Sequence, residues 1–250
     1  MRAANVIVRT EFPIRIVILV FLAAAMFSNR SARADSSPEI LANTRSLDGY
    51  KPEFHRGKIP PEFIDRIRAT TWHNGCPVDP KDLRMLTLSY WSFDGKPAMG
   101  KLIVNKKVAR QATGIFRKLF EHGFMIEKMV PIEEYGGSDN ASMAANNSSA
   151  FNCRDITLRP GVFSNHSWGR AIDINPLTNP YVKGDKVFPP AGREYLDRTR
   201  VAPGSITAGS FIVKLFEKKG WIWGGSWTDR HDYQHFEKPA RHRHWWSLWL

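Results

Sequence analysis

Ser164-Asn165-His166-Ser167-Trp168-Gly169-Arg170-Ala171-Ile172-Asp173-Ile174-Asn175 sets a histidine and an aspartate seven residues apart, with a glycine between them. Read as a strand, Ala171 to Asn175 sends Ile172 and Ile174 into a core and Asp173 to the other side, toward a cleft, because side chains alternate along a strand. Gly169 lets the chain turn, which brings His166 back beside Asp173. A second stretch, Asp232-Tyr233-Gln234-His235-Phe236-Glu237, repeats the logic: Phe236 goes to the core and His235 to the same cleft.

Two imidazoles and one carboxylate with a fourth position left open make a catalytic zinc set, so His166, Asp173 and His235 are the expected ligands of one Zn2+. Imidazole and carboxylate donors also accept other divalent ions. A lone histidine is more often a surface group or a satisfied core residue, so the combination carries the reading. Metal-assisted hydrolysis needs a proton acceptor, and Asp232 is the candidate general base. Positions 232 and 235 would face opposite sides of one regular strand, so Asp232 has to lie in the turn before it. Asp229 and Glu237 are the other carboxylates in reach.

Taken together, Ser164-x-His166-x-x-Gly169-x-Ala171-x-Asp173 and Asp232-x-x-His235 resemble the zinc D-alanyl-D-alanine carboxypeptidase family, which also holds L-alanyl-D-glutamate endopeptidases. The resemblance runs from about Cys76 to Pro239 and implies a compact α+β fold, with a central antiparallel sheet carrying the zinc site and helices flanking it. It implies hydrolysis of peptidoglycan stem peptides. Phe151-Asn152-Cys153-Arg154 adds to it, and by analogy Arg154 helps polarise the scissile carbonyl. Ser164, which opens the motif, is the candidate substrate contact. Many members carry Glu where this chain has Asp232, which brings the chain nearer the endopeptidase-like branch.

Residues 1–34 read as a signal segment: Arg2, Arg9 and Arg15 precede an apolar run from Ile16 to Phe27, and Ala32-Arg33-Ala34 offers a small-x-small cleavage site. The run is shorter than the roughly 20 apolar residues that cross a bilayer, although Glu11, Arg30 and Arg33 leave an uncleaved anchor open. The expected location is therefore periplasmic or extracellular, where Cys76 and Cys153 would pair. The formal net charge is +12, and since the leader carries five Arg against one Glu, the remainder still carries +8. Such a charge holds an exported protein near polyanionic wall polymers or anionic lipid. No zinc finger, RNP-like stretch or basic heptad region points to nucleic acid.

The expected organisation is a leader (1–34), an extended arm (35–68) broken by Ile59-Pro60-Pro61, a zinc peptidase domain (69–240) and a basic aromatic tail (241–250). Leu83–Phe93 and Lys101–Val104 read as a hairpin around Asp94-Gly95. A helix capped by Asn105 carries Val108, Ala112, Ile115, Phe116 and Leu119 on one face and stops at Gly123. Phe124–Ile132 suggests a strand, Gly136–Ser149 a long exposed loop, Pro176–Pro203 irregular chain, Ala208–Lys219 a helix, and Trp221–Trp223 a short strand. Interspersed helices and hairpins favour α+β over a parallel α/β sheet.

His55, His73 and His122 show no ligand partner at a useful spacing, and His231 is as consistent with an exposed loop as with a substrate contact. The tail mixes cations with tryptophans and suits a membrane interface, a wall glycan or packing on the domain. The competing function is a catalytically silent, zinc-containing wall-binding or adaptor domain. Retention of both a base and an oxyanion donor argues for the hydrolase. Oligomeric state and the bond cleaved are not legible.

Overall fold

The computed structural model describes Leu47 and residues 49–239. The expected leader and the basic tail lie outside the described residues. No helix among the described residues is long and apolar enough to cross a membrane.

A three-stranded antiparallel sheet is built from β1 (Phe54–Gly57), β2 (Leu83–Trp91) and β3 (Pro97–Asn105), in that order. The expected hairpin is β2 and β3, and Asp94 closes its turn by accepting from the Ser92 hydroxyl and the Lys96 amide. Asn105 ends β3 and caps the main helix, its Oδ1 accepting from the Lys107 amide at 3.0 Å. Between these lies a first helix, α1 (Pro61–Thr70), and after β3 comes α2 (Lys106–Glu121). The predicted apolar face of α2 is buried on the sheet, where Val108, Ala112, Ile115, Phe116 and Leu119 join Leu86, Leu88, Leu102 and Val104 in one cluster. Each such fully buried side chain contributes about 1.5–3 kcal/mol relative to exposure.

The second half adds α3 (Asp139–Ala144), the hairpin of β4 (Asp155–Ile156) and β5 (Arg159–Phe163), then β6 (Ala171–Asp173), β7 (Tyr181–Lys183), β8 (Lys186–Phe188), α4 (Phe211–Glu217), β9 (Ile222–Trp223), β10 (His231–Asp232) and β11 (His235–Glu237). One small antiparallel sheet runs β6-β11-β9 and another β10-β7-β8. Ile172, Trp223 and Phe236 enter the same core cluster as the first sheet and α2, and the Phe236 ring stacks on Phe216 of α4 at 4.0 Å. The fold is α+β with antiparallel pairing in every named sheet, in place of one continuous central sheet.

Several expectations are corrected. The proline pair does not break the arm. Pro61 occupies the first turn of α1, where its missing N–H costs nothing, and Phe54–Gly57 pairs with β2. Phe124–Ile132 forms only isolated bridges at Met125 and Lys128. Some of its peptide groups turn to asparagine side chains instead, with the Val130 amide on Asn147 Oδ1 at 2.9 Å and the Glu127 amide on Asn175 Oδ1 at 3.0 Å. Gly136–Ser149 is not an exposed loop: α3 lies within it, and Ser142, Met143 and Asn146 to Ser149 are buried. The polar residues that mimic a loop serve as internal backbone partners, as when Asn146 Oδ1 accepts from the Leu177 amide at 2.9 Å. The helix expected from Ala208 begins only at Phe211, and the proline-rich stretch contains the β7/β8 hairpin.

Cys76 and Cys153 are joined by a disulfide that closes 77 residues of sequence, with Cα atoms 6.0 Å apart. It ties the chain after α1 to the residue before Arg154, and the Cys153 amide also donates to Thr71 O at 2.9 Å. A loop of that length removes much entropy from the unfolded chain. The double variant Cys76→Ser, Cys153→Ser is expected to lose on the order of 2–4 kcal/mol in urea unfolding. An unchanged midpoint would show that the bridge adds nothing.

Candidate metal centre and active site

The β6/β11 register sets His235 directly opposite Asp173 and Phe236 opposite Ile172. Strand alternation then divides the pair, with Ile172 and Phe236 in the core and Asp173, His235 and Glu237 on the cleft side. His166 arrives from a 3-10 turn, Asn165–Trp168, capped by Ser164, whose hydroxyl oxygen accepts from the His166 amide at 3.3 Å. Gly169 ends the turn at φ +62°, and a Cβ there would lie 2.7 Å from the Asn105 amide nitrogen. The turn is thus pressed against the end of β3, where the Asn105 amide donates to Gly169 O at 2.8 Å. Only glycine meets both requirements.

The three predicted ligand side chains are buried and their donor atoms converge. His166 Nε2 lies 3.1 Å from Asp173 Oδ2 and 3.2 Å from His235 Nδ1, and His235 Nδ1 lies 2.9 Å from Asp173 Oδ1. The opposite ring nitrogens fix the tautomers. His166 Nδ1 faces the Ala150 carbonyl at 2.5 Å, and a carbonyl only accepts, so the proton is on Nδ1 and the Nε2 lone pair points inward. His235 Nε2 likewise faces Glu237 Oε2 at 3.1 Å, which turns the Nδ1 lone pair inward in the neutral ring. Two lone pairs and a carboxylate thus face one point. That set fits a divalent cation: the donor separations of 2.9, 3.1 and 3.2 Å fall a few tenths of an ångström short of the about 3.3–3.6 Å edge of a tetrahedron with about 2.0–2.2 Å ligand distances, so the donors need only open slightly to admit one.

Electrostatics follow the same geometry. Burial would raise the Asp173 pKa, but the charge and hydrogen bonds of His166 and His235 outweigh it and hold the carboxyl well below the usual range. Burial works against a charged His235, yet its hydrogen bonds to Asp173 and Glu237 and the Asp173 charge raise its pKa well above the ordinary value. A proton would therefore compete with any metal cation for this one position.

Asp232 lies on β10, across the Tyr233-Gln234 turn from β11, so it can share the cleft with His235 without sharing its strand. Its Oδ1 is buried with no hydrogen-bond partner among the described residues. Burial pushes its pKa up to about 6, assisted by the Asp173 charge and opposed by His235 and His166. The approach of this chain to the helix-like turn at Gly224 is close: a Cβ on Gly224 would meet Asp232 Cβ and Asp232 O at 2.8 Å and His235 Cβ at 3.2 Å. Gly224→Ala is therefore expected to displace both side chains and cut activity by about 10²-fold, as misplacement of reacting groups by an ångström does. Comparing kcat/KM of the zinc-loaded variant with the parent tests it; an unaltered value would contradict the close approach.

Arg154 lines the same cleft of about 580 Å³, with His166, Asp173, Asp232 and His235. It is ion-paired to Asp139 of α3 at 2.9 Å, and its Nη1 donates to Asp155 O at 3.1 Å. Its Nε is buried without a partner among the described residues. Ser164 also borders the cleft, but its hydroxyl is turned to the His166 backbone. His73 sits beside Cys76 and Cys153, whose sulfurs are consumed by the disulfide. His122 caps α2 and stacks on Phe211, and exposed His231 stacks on Tyr233.

From the sequence, Glu237 is only an alternative base. Its place is beside His235, and Asn165 Nδ2 donates to the same Oε2 at 2.6 Å. The signal was available, since a residue two after His235 on a strand shares its face. Asp139 and Gly224 carried no such signal, because each meets the site through distant chain.

Residues 158–238 match the family model described as D-alanyl-D-alanine carboxypeptidase. No curated protein and no solved structure matches the chain. The matched stretch contains His166, Asp173, Asp232 and His235 but begins after Arg154 and the second cysteine. The resemblance read from the two motifs thus holds over residues 158–238, the segment that carries the cluster and is similar to the D-alanyl-D-alanine carboxypeptidase family.

Proposed function

We propose that the protein is an exported zinc peptidase that hydrolyses peptidoglycan stem peptides, with His166, Asp173 and His235 as the metal ligands. The observation that carries the reading is the inward convergence of two histidine lone pairs and one carboxylate, each outer nitrogen held by an acceptor. When bound, zinc supplies a Lewis acid that polarises a carbonyl and brings a water pKa toward neutrality. Asp232 Oδ1 takes the proton of the attacking water and passes it to the leaving amine, a role suited to a buried carboxyl whose pKa is about 6. Arg154, anchored by Asp139, presents its guanidinium to the negative charge that develops on the carbonyl oxygen. The Ala150 carbonyl and Glu237 keep the rings of His166 and His235 oriented. A zinc-carrying α+β fold of the type shared by hedgehog domains and D-alanyl-D-alanine peptidases, a wall substrate and export are parts of this reading that rest on the family resemblance and the leader-like amino terminus.

Mass-resolved digestion of purified peptidoglycan by the zinc-loaded protein tests the proposal. Release of D-alanine marks a carboxypeptidase, and separation of L-alanine from D-glutamate marks an endopeptidase. Intact stem peptides after digestion would favour the wall-binding domain.

A further inference from the structure

Four arginines line the cleft, and three have their charge accounted for. Arg154 is paired with Asp139. Arg230 is paired with Asp229 at 2.6 Å and lies over the Trp227 ring at 4.2 Å. Arg159 is exposed on β5, where water solvates it. Arg170 differs: it is part-buried, its side chain has no ion pair or hydrogen bond among the described residues, and its Nε is buried and unsatisfied. The carboxylate nearest in the chain pairing, Glu237, is already taken by His235 and Asn165. Desolvation by burial lowers the pKa of Arg170, with no charge among the described residues to offset it.

Withdrawing a guanidinium from water without a counter-ion is costly, and such a group is completed by an anion that enters with a ligand. Arg170 immediately precedes β6, three residues before Asp173, so it is fixed in register with the metal ligands. We propose that Arg170 is the carboxylate anchor of the cleft. It receives, by paired N–H donors, the free α-carboxylate of the substrate residue that departs as the amine. That chemistry is shared by the two bonds considered above: a terminal D-alanine carries a free α-carboxylate, and so does a D-glutamate whose chain continues through its side-chain carboxyl. The inference rests on the peptidase reading for its choice of substrate, while the anchor itself is a binding property independent of turnover.

Calorimetry on the zinc-free full chain provides the test, with two probe pairs: N-acetyl-L-Lys-D-Ala-D-Ala and its C-terminal amide, and L-Ala-D-Glu with its α-carboxyl free or amidated. The parent is expected to bind the acid of at least one pair about 10- to 100-fold more tightly than its amide, the range for a hydrogen-bonded charge pair. Arg170→Gln is expected to level the two by weakening the acid alone, and Arg159→Gln to keep the preference. Should the glutamine variant fail to fold, Arg170→Met keeps the apolar stem and makes the same comparison. No acid preference in the parent, a preference that survives in the Arg170 variant, or one that disappears with Arg159→Gln would overturn the anchor. A parent that prefers the acid yet cleaves neither peptide when loaded with zinc leaves the anchor standing and removes the peptidase.

Discussion

Asp232→Asn is expected to lower kcat/KM by about 10²–10⁴-fold while leaving zinc affinity within a few-fold of the parent. The asparagine is nearly the same shape and stays in the slot left open by Gly224, so the ligands keep their places. What disappears is a proton acceptor. Because burial holds the Asp232 pKa up at about 6, the carboxylate form needed of a base is lost as pH falls through that value. A bound dication favours the charged form, so the acid limb of kcat/KM belongs at about pH 6 or below, and activity rises with pH through it. The variant is expected to lack that limb. Rate profiles of both proteins with zinc in excess check the result; a parent limb unchanged by the substitution would assign the proton transfer to another group, with Glu237 next in line.

His235→Ala is expected to abolish stoichiometric zinc and with it all turnover. The substitution removes one of three donors, which costs more than the 10- to 100-fold that follows from losing an outer hydrogen-bond partner of a ligand. It also strips Asp173 of one of its two imidazole partners and leaves Glu237 with Asn165 alone. A buried carboxylate that loses a partner destabilises the fold, by as much as about 3 kcal/mol. Metal analysis after dialysis, together with thermal unfolding, checks both effects. Retention of one zinc per chain by the variant would place the metal elsewhere.

The convergence of His166, Asp173 and His235 was more legible in the sequence than the surrounding fold, for a physical reason. Strand period alone separates Ile172 from Asp173 and Phe236 from His235, and the register that pairs His235 with Asp173 brings the two motifs together. The hairpin and the helix from Asn105 were equally legible, because turn chemistry, cap and apolar face agree there. The segment 124–149 was not. Its asparagines and serines carry a loop composition, yet Asn147 replaces a strand partner for Val130, and Ser149 exchanges backbone hydrogen bonds with Asp173. That exchange places Ala150 where its carbonyl meets His166. Local composition cannot reveal a contact whose partner is distant in the chain. The start of α1 was misread for a different reason: a proline that breaks a helix interior is at home in its first turn.

Zinc titration of the metal-free protein, with stem-peptide cleavage followed at each point, decides whether His166, Asp173 and His235 form a catalytic metal centre. One zinc per chain is expected, with activity rising in step with occupancy and absent without metal. Saturation of the site with no peptide cleaved, or cleavage that proceeds equally in the presence of a chelator, would contradict it.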